Sequence, residues 1–392
     1  MRILVTAEPS YGHINPVLPL ARAARHAGHD VVVATGAELL DHVRRHGLPV
    51  WLVGRSRAEV DARFRAANPD LDELGFEQRI LRMADGLFVE AAADRIPDLL
   101  ARTAEWHPDV VISETSELAG AITAARTGAR HVVHGVSLPP SRSIWDAAFA
   151  PGYARLCRSW ELPDRLLDAV YLDIWPASLA VAGPPAWSRA RPLRPVGGPA
   201  APEQRLPWGE LPHAKTVHLT LGTIFSDTPG VLETAVAGLR ELPVNLIVTV
   251  GPQGDPARFG PLPPHVVVER YVPHELLLPR CDLLVDHAGA GVLLSGFGHG
   301  VPQLLLPQGL DQFGNAEAAE RAGAALTITE LSAEAVADAA QRLLDEPGFT
   351  AAARSLQAEI AAMPSAEQVV AELPGFDNGF RGPRGRRRLG GC

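Results

Sequence analysis

Short, unbroken apolar runs alternate along this chain with longer stretches whose apolar residues recur every three or four positions. Ile3–Ala7, Asp30–Ala34 and Pro49–Val53 have the length and continuity of strands buried on both faces, and Pro16–Ala27 and Ala37–His46 have the spacing of helices between them. Asn15 before Pro16 predicts the start of the first helix, because asparagine caps and proline fits the first turn. Asp109–Ser113 predicts a further strand and Gly120–Arg126 the helix after it. From about Gly183 to His213 the rhythm gives way to a stretch crowded with Pro and Gly, which predicts an interdomain linker. A second rhythm begins at Lys215, with strands expected at Thr216–Thr220, Asn245–Val250, His265–Glu269, Asp282–Val285 and Gln303–Leu306. Strand–helix–strand alternation predicts parallel sheets covered on both faces. The expected class is therefore α/β: two Rossmann-like domains, with ligands in the crevice beyond the carboxyl ends of the strands. The boundaries expected are 1–190 for the first domain, 191–214 for the linker and 215–373 for the second domain. The tail 374–392 is rich in Gly and Arg without an apolar period and is expected to be a disordered extension.

Composition narrows the partners. The length of 392 residues suits two domains. A net charge of −9 argues against general nucleic-acid binding, while leaving a locally held nucleotide possible. Cys157, Cys281 and Cys392 have no metal-like spacing and no pairing framework, which predicts a reducing, cytoplasmic setting. The opening MRILVTA reads as a strand rather than a signal peptide, and no run is apolar enough to span a bilayer. Whether the chain is a monomer or a homodimer stays open.

The densest chemistry lies between Cys281 and Ala316. An apolar run ends in Asp286-His287; a glycine-dense turn through Gly289 and Gly291 leads into a helical stretch, and the segment closes on Asp311-Gln312. Amides at a glycine-rich helix start can face a diphosphate, with the helix dipole favouring its charge. A carboxylate and an amide further on can bond sugar hydroxyls. This window resembles the donor-binding signature of the GT-B glycosyltransferases of family 1, above all actinobacterial enzymes that decorate natural products. The likeness rests on His287, Gly289, Gly291, Val292, Gly300-Val301-Pro302 and Asp311-Gln312, and extends over nearly the whole chain.

The resemblance implies further assignments. Tyr11-Gly12-His13-Ile14-Asn15-Pro16 is similar to the segment that carries the family's general base, which makes His13 the candidate. A helix N-terminus disfavours imidazolium, so His13 is expected to stay neutral until it acts. The acidic partner implied is Glu114, after the strand that starts at Pro108-Asp109, with Glu117 in reserve. Leu221-Gly222-Thr223 resembles a second phosphate loop, and Tyr271-Val272 resembles the base-recognition segment, where Tyr271 offers a ring face and Val272 its backbone. His287, with the amides of Gly289, Gly291 and Val292, is expected at the diphosphate. Ser295 stands where relatives using UDP-sugars often have a glutamate that binds both ribose hydroxyls. That departure favours a dTDP-sugar co-substrate over a UDP-sugar.

No metal site is expected, and Asp70-Leu71-Asp72 sits in a polar, loop-like stretch. The reading is an inverting, metal-independent hexosyltransferase acting on a hydroxyl of a small hydrophobic acceptor, with Phe76, Phe88, Trp145 and Phe149 as acceptor-side candidates. A catalytically inert homologue that activates another transferase and a sugar-nucleotide epimerase remain alternatives. A nicotinamide dehydrogenase is disfavoured, since no Gly-x-Gly-x-x-Gly follows the first strand.

Overall fold

The computed structural model describes residues 1–180, 184–195, 206–222, 230–251, 254–309 and 311–376, apart from the side chains of residues 72, 76, 77, 80 and 85. Seven strands form the first sheet: β1 (Arg2–Thr6), β2 (Asp30–Thr35), β3 (Val50–Leu52), β4 (Val110–Glu114), β5 (Arg130–His134), β6 (Val170–Asp173) and β7 (Ala190–Pro192). Six form the second: β8 (Lys215–Thr220), β9 (Val244–Thr249), β10 (Val266–Glu269), β11 (Leu283–Asp286), β12 (Gln303–Leu305) and β13 (Ala325–Thr327). Every pairing in both sheets is parallel, in the orders β3-β2-β1-β4-β5-β6-β7 and β10-β9-β8-β11-β12-β13.

The two sheets share one plan. Each grows to one side from its first strand and then returns to pair that strand on its other side, β4 on β1 and β11 on β8. Such a reversal leaves a crevice at the carboxyl ends of the two central strands, because the connecting segments leave in opposite directions. In the first sheet Thr6 pairs with Ser113 at that end, and in the second Thr220 pairs with Asp286. His13, Glu114, Gly222 and His287 all follow these four strand ends closely.

Apolar runs form the central strands: Ile3, Leu4 and Val5 in β1 and Leu283, Leu284 and Val285 in β11 are at most 1 % exposed. The helices that matter to the site are α1 (Tyr11–His26), α2 (Arg57–Ala67), α3 (Phe76–Trp106), α4 (Leu118–Thr127), α5 (Arg142–Ala148), α6 (Ala290–Gly298), α7 (Gln312–Arg321) and α8 (Ala366–Glu372).

Three expectations change. Helix α1 begins at Tyr11, with Ser10 in the N-cap position but making no capping bond, and Pro16 and Pro19 lie inside it. Asn15 therefore does not cap; its Oδ1 accepts from His42 Nε2 at 2.7 Å. The Pro184–Leu193 part of the expected linker is not loose: Ala190–Pro192 is the edge strand β7, paired with β6, an edge being where a sheet tolerates proline. Residues 196–205 lie outside the described residues, and Leu206, Trp208 and Leu211 already pack on Ile247, Val272 and Leu277 of the second lobe. Lastly, α8 does not stay with the second lobe. Val369, Val370 and Leu373 share a core with Ile3, Leu18 and Leu20, and Arg130 Nη1 donates to Leu373 O at 2.7 Å. Arg194 reinforces this return by donating to Met363 O, from Nε at 3.2 Å, while its backbone N–H reaches Pro364 O. The tail from residue 377 lies outside the described residues.

Candidate active site

On the first-lobe side, α1 starts at the carboxyl end of β1 and places His13 in its first turn. Its Nδ1 lies 3.0 Å from Glu114 Oε1, the carboxylate at the end of β4. Glu114 is held in turn: Ser116 N–H donates to Oε2 at 2.7 Å and Glu8 N–H to Oε1 at 3.4 Å. Of the two acids expected, the structure brings Glu114 to the imidazole. Glu117 instead caps α4, accepting from Gly120 N–H at 2.9 Å.

From the sequence the helix terminus is expected to depress the His13 pKa, and the structure points in the opposite direction. Burial pushes its pKa down, but the Glu114 carboxylate, their hydrogen bond and the Glu8 charge outweigh burial and the opposing Arg57, so the pKa lies above the ordinary 6.5. The charges of two nearby acids set the direction. With Nδ1 tied to Glu114, Nε2 is the nitrogen available to a substrate proton.

An aromatic surface adjoins this histidine. The Phe88 ring on α3 sits 6.3 Å from the His13 ring, and Phe149 stacks on Phe88 at 6.2 Å. Trp145 on α5 is 2 % exposed and stacks on Phe149 at 5.3 Å, which makes it a wall behind the surface. The Phe76 side chain lies outside the described residues.

On the second-lobe side, β11 ends in a tight turn before α6. Ala288 adopts a φ of 61°, costly for a residue with a Cβ. Two bonds hold the turn: Ala288 N–H donates to Asp286 Oδ1 at 2.6 Å, and Asn315 Nδ2 donates to Ala288 O at 2.9 Å. Burial pushes the Asp286 carboxyl up to about 8 and the His287 imidazole down to about 4, so His287 is neutral at pH 7. Gly222 and Gly289 make room for that ring. A Cβ on Gly222 would meet His287 Cε1 at 2.6 Å, and one on Gly289 would meet the same atom at 2.7 Å. Gly291 differs: its Cβ would meet nothing within 4 Å, so the first turn of α6 faces open space with its amides unclaimed by the helix. Val292 follows in the same turn. Thr223 lies outside the described residues.

Tyr271 is 66 % exposed, while Val272 beside it is buried against Ile247 and Leu277. An exposed ring on an anchored backbone suits a stacking platform. Ser295 Oγ shares a hydrogen bond of 3.3 Å with His274 Nδ1, a partner the sequence did not suggest. Gln312 is buried, and its Oε1 accepts from Gln308 and Gly309 N–H at 2.6 and 3.1 Å, so its oxygen holds its own loop and only its amide nitrogen is left for a ligand. Asp311, at the start of α7, receives Asn315 Nδ2 at 3.0 Å. Burial raises its pKa, opposed by Asn315 and by His13 across the cleft, so Asp311 and His13 lie within electrostatic reach of each other. Asn315 thus joins the turn at Ala288 to Asp311, a link that only its place one turn after Asp311 hints at.

Among the described residues no cluster of His, Cys, Asp and Glu could hold a metal ion, and Asp70 pairs with Arg82 at 3.5 Å. No described helix is long and apolar enough to cross a membrane.

The chain matches two family models: erythromycin biosynthesis protein CIII-like, N-terminal domain, over residues 22–222, and the C-terminal domain of the same protein over residues 233–375. It is 32 % identical over 384 residues to the elloramycin glycosyltransferase ElmGT of Streptomyces olivaceus, covering 95 % of this chain and 97 % of that one. Among solved structures, glycosyltransferase VinC in complex with dTDP aligns with a TM-score of 0.77 and 27 % identity over 96 % of this chain and 99 % of VinC. The rhamnosyltransferase SpnG complexed with spinosyn aglycone aligns with a TM-score of 0.79 and 25 % identity over 95 % of this chain and all of SpnG's (100 %). With two parallel Rossmann-like sheets facing one cleft and matches spanning nearly its full length, the chain belongs to the erythromycin biosynthesis protein CIII-like glycosyltransferases, GT-B enzymes of glycosyltransferase family 1.

Proposed function

We propose that this enzyme transfers a hexose, with inversion, from a dTDP-sugar to a hydroxyl of a small hydrophobic natural product, using His13 as general base. The observation that carries the reading is the 3.0 Å contact between His13 Nδ1 and Glu114 Oε1, in a cleft where Asp311 approaches from the other lobe. His13 Nε2 takes the acceptor hydroxyl proton as the oxygen bonds to the anomeric carbon and the bond from that carbon to the diphosphate oxygen breaks. The Glu114 carboxylate fixes the tautomer and stabilises the imidazolium that forms. The departing diphosphate meets His287 and the amides of Gly289, Gly291 and Val292 at the start of α6, together with Gly222 and the Thr223 that follows it in sequence. This arrangement offsets its charge without a metal ion, so EDTA is expected to leave turnover unchanged.

Tyr271 stacks on the nucleobase, Val272 pairs its edge through the backbone, Ser295 faces the ribose, and Asp311 and the Gln312 amide face the sugar. The acceptor lies against Phe88 and Phe149. The dTDP preference draws support from Ser295, whose hydroxyl cannot bind two ribose hydroxyls as a carboxylate does. VinC, solved with dTDP, and SpnG, solved with an aglycone, support the two substrate classes.

Incubation with dTDP-glucose or UDP-glucose and a phenolic acceptor, read by mass spectrometry, tests the proposal. The expected product is the acceptor plus one hexose, formed faster from dTDP-glucose. Absence of turnover with tight nucleotide binding would favour the inert activator, and an altered nucleotide sugar without acceptor glycoside would favour the epimerase. A faster reaction with UDP-glucose would overturn the nucleotide preference alone.

A further inference from the structure

We propose that Arg95 and Glu8 are positioning residues for the base: the Arg95 guanidinium clamps the Glu8 side chain, and the Glu8 backbone N–H then holds Glu114 Oε1 on His13. The inference rests on the reading of His13 as base. Glu8 belongs to the loop after β1, Arg95 to the middle of α3, Glu114 to the end of β4 and Glu117 to the start of α4. Their side chains are 2 %, 3 %, 0 % and 1 % exposed, so three acidic side chains and one guanidinium are sealed from solvent.

Arg95 grips Glu8 with both prongs: Nη2 donates to Oε2 at 3.0 Å and Nη1 donates to Oε1. Nη1 also stands 3.7 Å from Glu117 Oε1, a looser second anchor. The Glu8 N–H donates to Glu114 Oε1 at 3.4 Å, the same oxygen that meets His13 Nδ1 at 3.0 Å. The path from guanidinium to imidazole therefore runs through one residue's side chain and backbone. The stem of Arg95 is fixed as well. Gly54, at a φ of 68°, passes so close that a Cβ there would meet Arg95 Cγ at 2.6 Å.

Buried acidic side chains crowded together repel one another unless a cation lies among them. Arg95 supplies that cation deep in the protein, where it neither faces nor neutralises the imidazole directly. The charged groups that do face His13 are Glu114 from β4, Glu8 from the β1 loop, Arg57 from α2 and Asp311 at the start of α7. Apart from Arg57 these are acids, which favours the imidazolium formed as the proton arrives. Removing the Glu8 charge weakens that preference.

The test compares Glu8→Gln and Arg95→Lys with the parent enzyme. The readouts are the pH profile of kcat/KM for transfer, thermal melting and dTDP binding by calorimetry. Glu8→Gln is expected to move the acid limb down by about half to one pH unit. It is also expected to lower kcat about three- to tenfold, with dTDP affinity unchanged. Arg95→Lys, which keeps the charge but loses the two-pronged grip, is expected to lower kcat with a smaller move of the limb. In a Glu114→Gln background the loss of kcat caused by Glu8→Gln should vanish, while the part of the limb shift that the Glu8 charge exerts on His13 directly should remain. A kcat of both folded variants equal to the parent's would overturn the inference, as would an undiminished loss of kcat on Glu8→Gln in the Glu114→Gln background. If neither variant folds, the unit serves the fold alone and the inference fails. Transfer that survives His13→Ala would instead overturn the base assignment itself.

Discussion

Around His13 the first lobe gathers side chains from segments far apart in sequence: Glu8 after β1, Arg95 on α3, Glu114 on β4 and Glu117 before α4. Around His287 the second lobe relies mainly on one stretch of chain, in which Asp286, Ala288, Asp311 and Asn315 are joined by hydrogen bonds, with Gly222 approaching the ring from the end of β8. The first arrangement depends on charge balance in a buried place, where each carboxylate alters its neighbours. The second depends on backbone shape, where glycines leave room for a ring and a turn residue sits at positive φ. Charge substitutions should therefore injure the first side of the cleft, and added Cβ atoms the second.

The largest break in that comparison is His13→Ala. Transfer is expected to fall about 10²–10⁴-fold, the worth of a positioned base, while dTDP binding measured by calorimetry stays at the parent value. Next comes Glu114→Gln, expected to lower kcat about 10²-fold or more, because the imidazole loses the group that orients it. The accompanying pH profile has a definite sign. His13 has a raised pKa, so its base form is lost as pH falls through a value above 6.5, and the acid limb should lie there. Removing the Glu114 charge lowers that pKa, and the limb should move to lower pH. Glu117→Gln should leave the limb in place, since its oxygen can still cap α4.

Additions of a methyl group probe the other lobe. Gly222→Ala and Gly289→Ala should each weaken dTDP binding about tenfold by displacing the His287 ring, with kcat changed little. Gly291→Ala is the sharper case. Its methyl meets no protein atom, so melting temperature should hold or rise while dTDP affinity drops. The smallest effect expected is that of Ser295→Glu, which should raise the rate with UDP-glucose relative to dTDP-glucose several-fold in a paired assay. The new carboxylate would replace the bond to His274 with bonds to ribose hydroxyls.

The donor window could be read in the sequence because it is local: a strand, a glycine turn and a helix follow one another, and a motif reports their contact directly. The long apolar strands were equally plain. β5, with His131 and His134 among its valines, and the three-residue strands β7 and β13 carry too little apolar signal to stand out. The start of α1 was misplaced because Asn-Pro offers the chemistry of a cap, whereas the chain end of β1 forces the helix to begin at Tyr11. Glu8 and Arg95 could not be found at all. Nothing in one dimension says that an arginine in the middle of a 31-residue helix lies against a glutamate 87 positions earlier. For the same reason the choice between Glu114 and Glu117 needed three dimensions, since one ends β4 and the other lies three residues on.

The return of α8 to the first lobe has a practical meaning for anyone building chimeras within this family. The polypeptide crosses between the lobes twice, once near Arg194 and again near Met363, and the two crossings touch. Grafting a new donor specificity with a single splice would leave the last helix facing a foreign partner and expose Val369, Val370 and Leu373. A graft with two junctions, keeping residues 366–376 with the parent's own first lobe, preserves that seam.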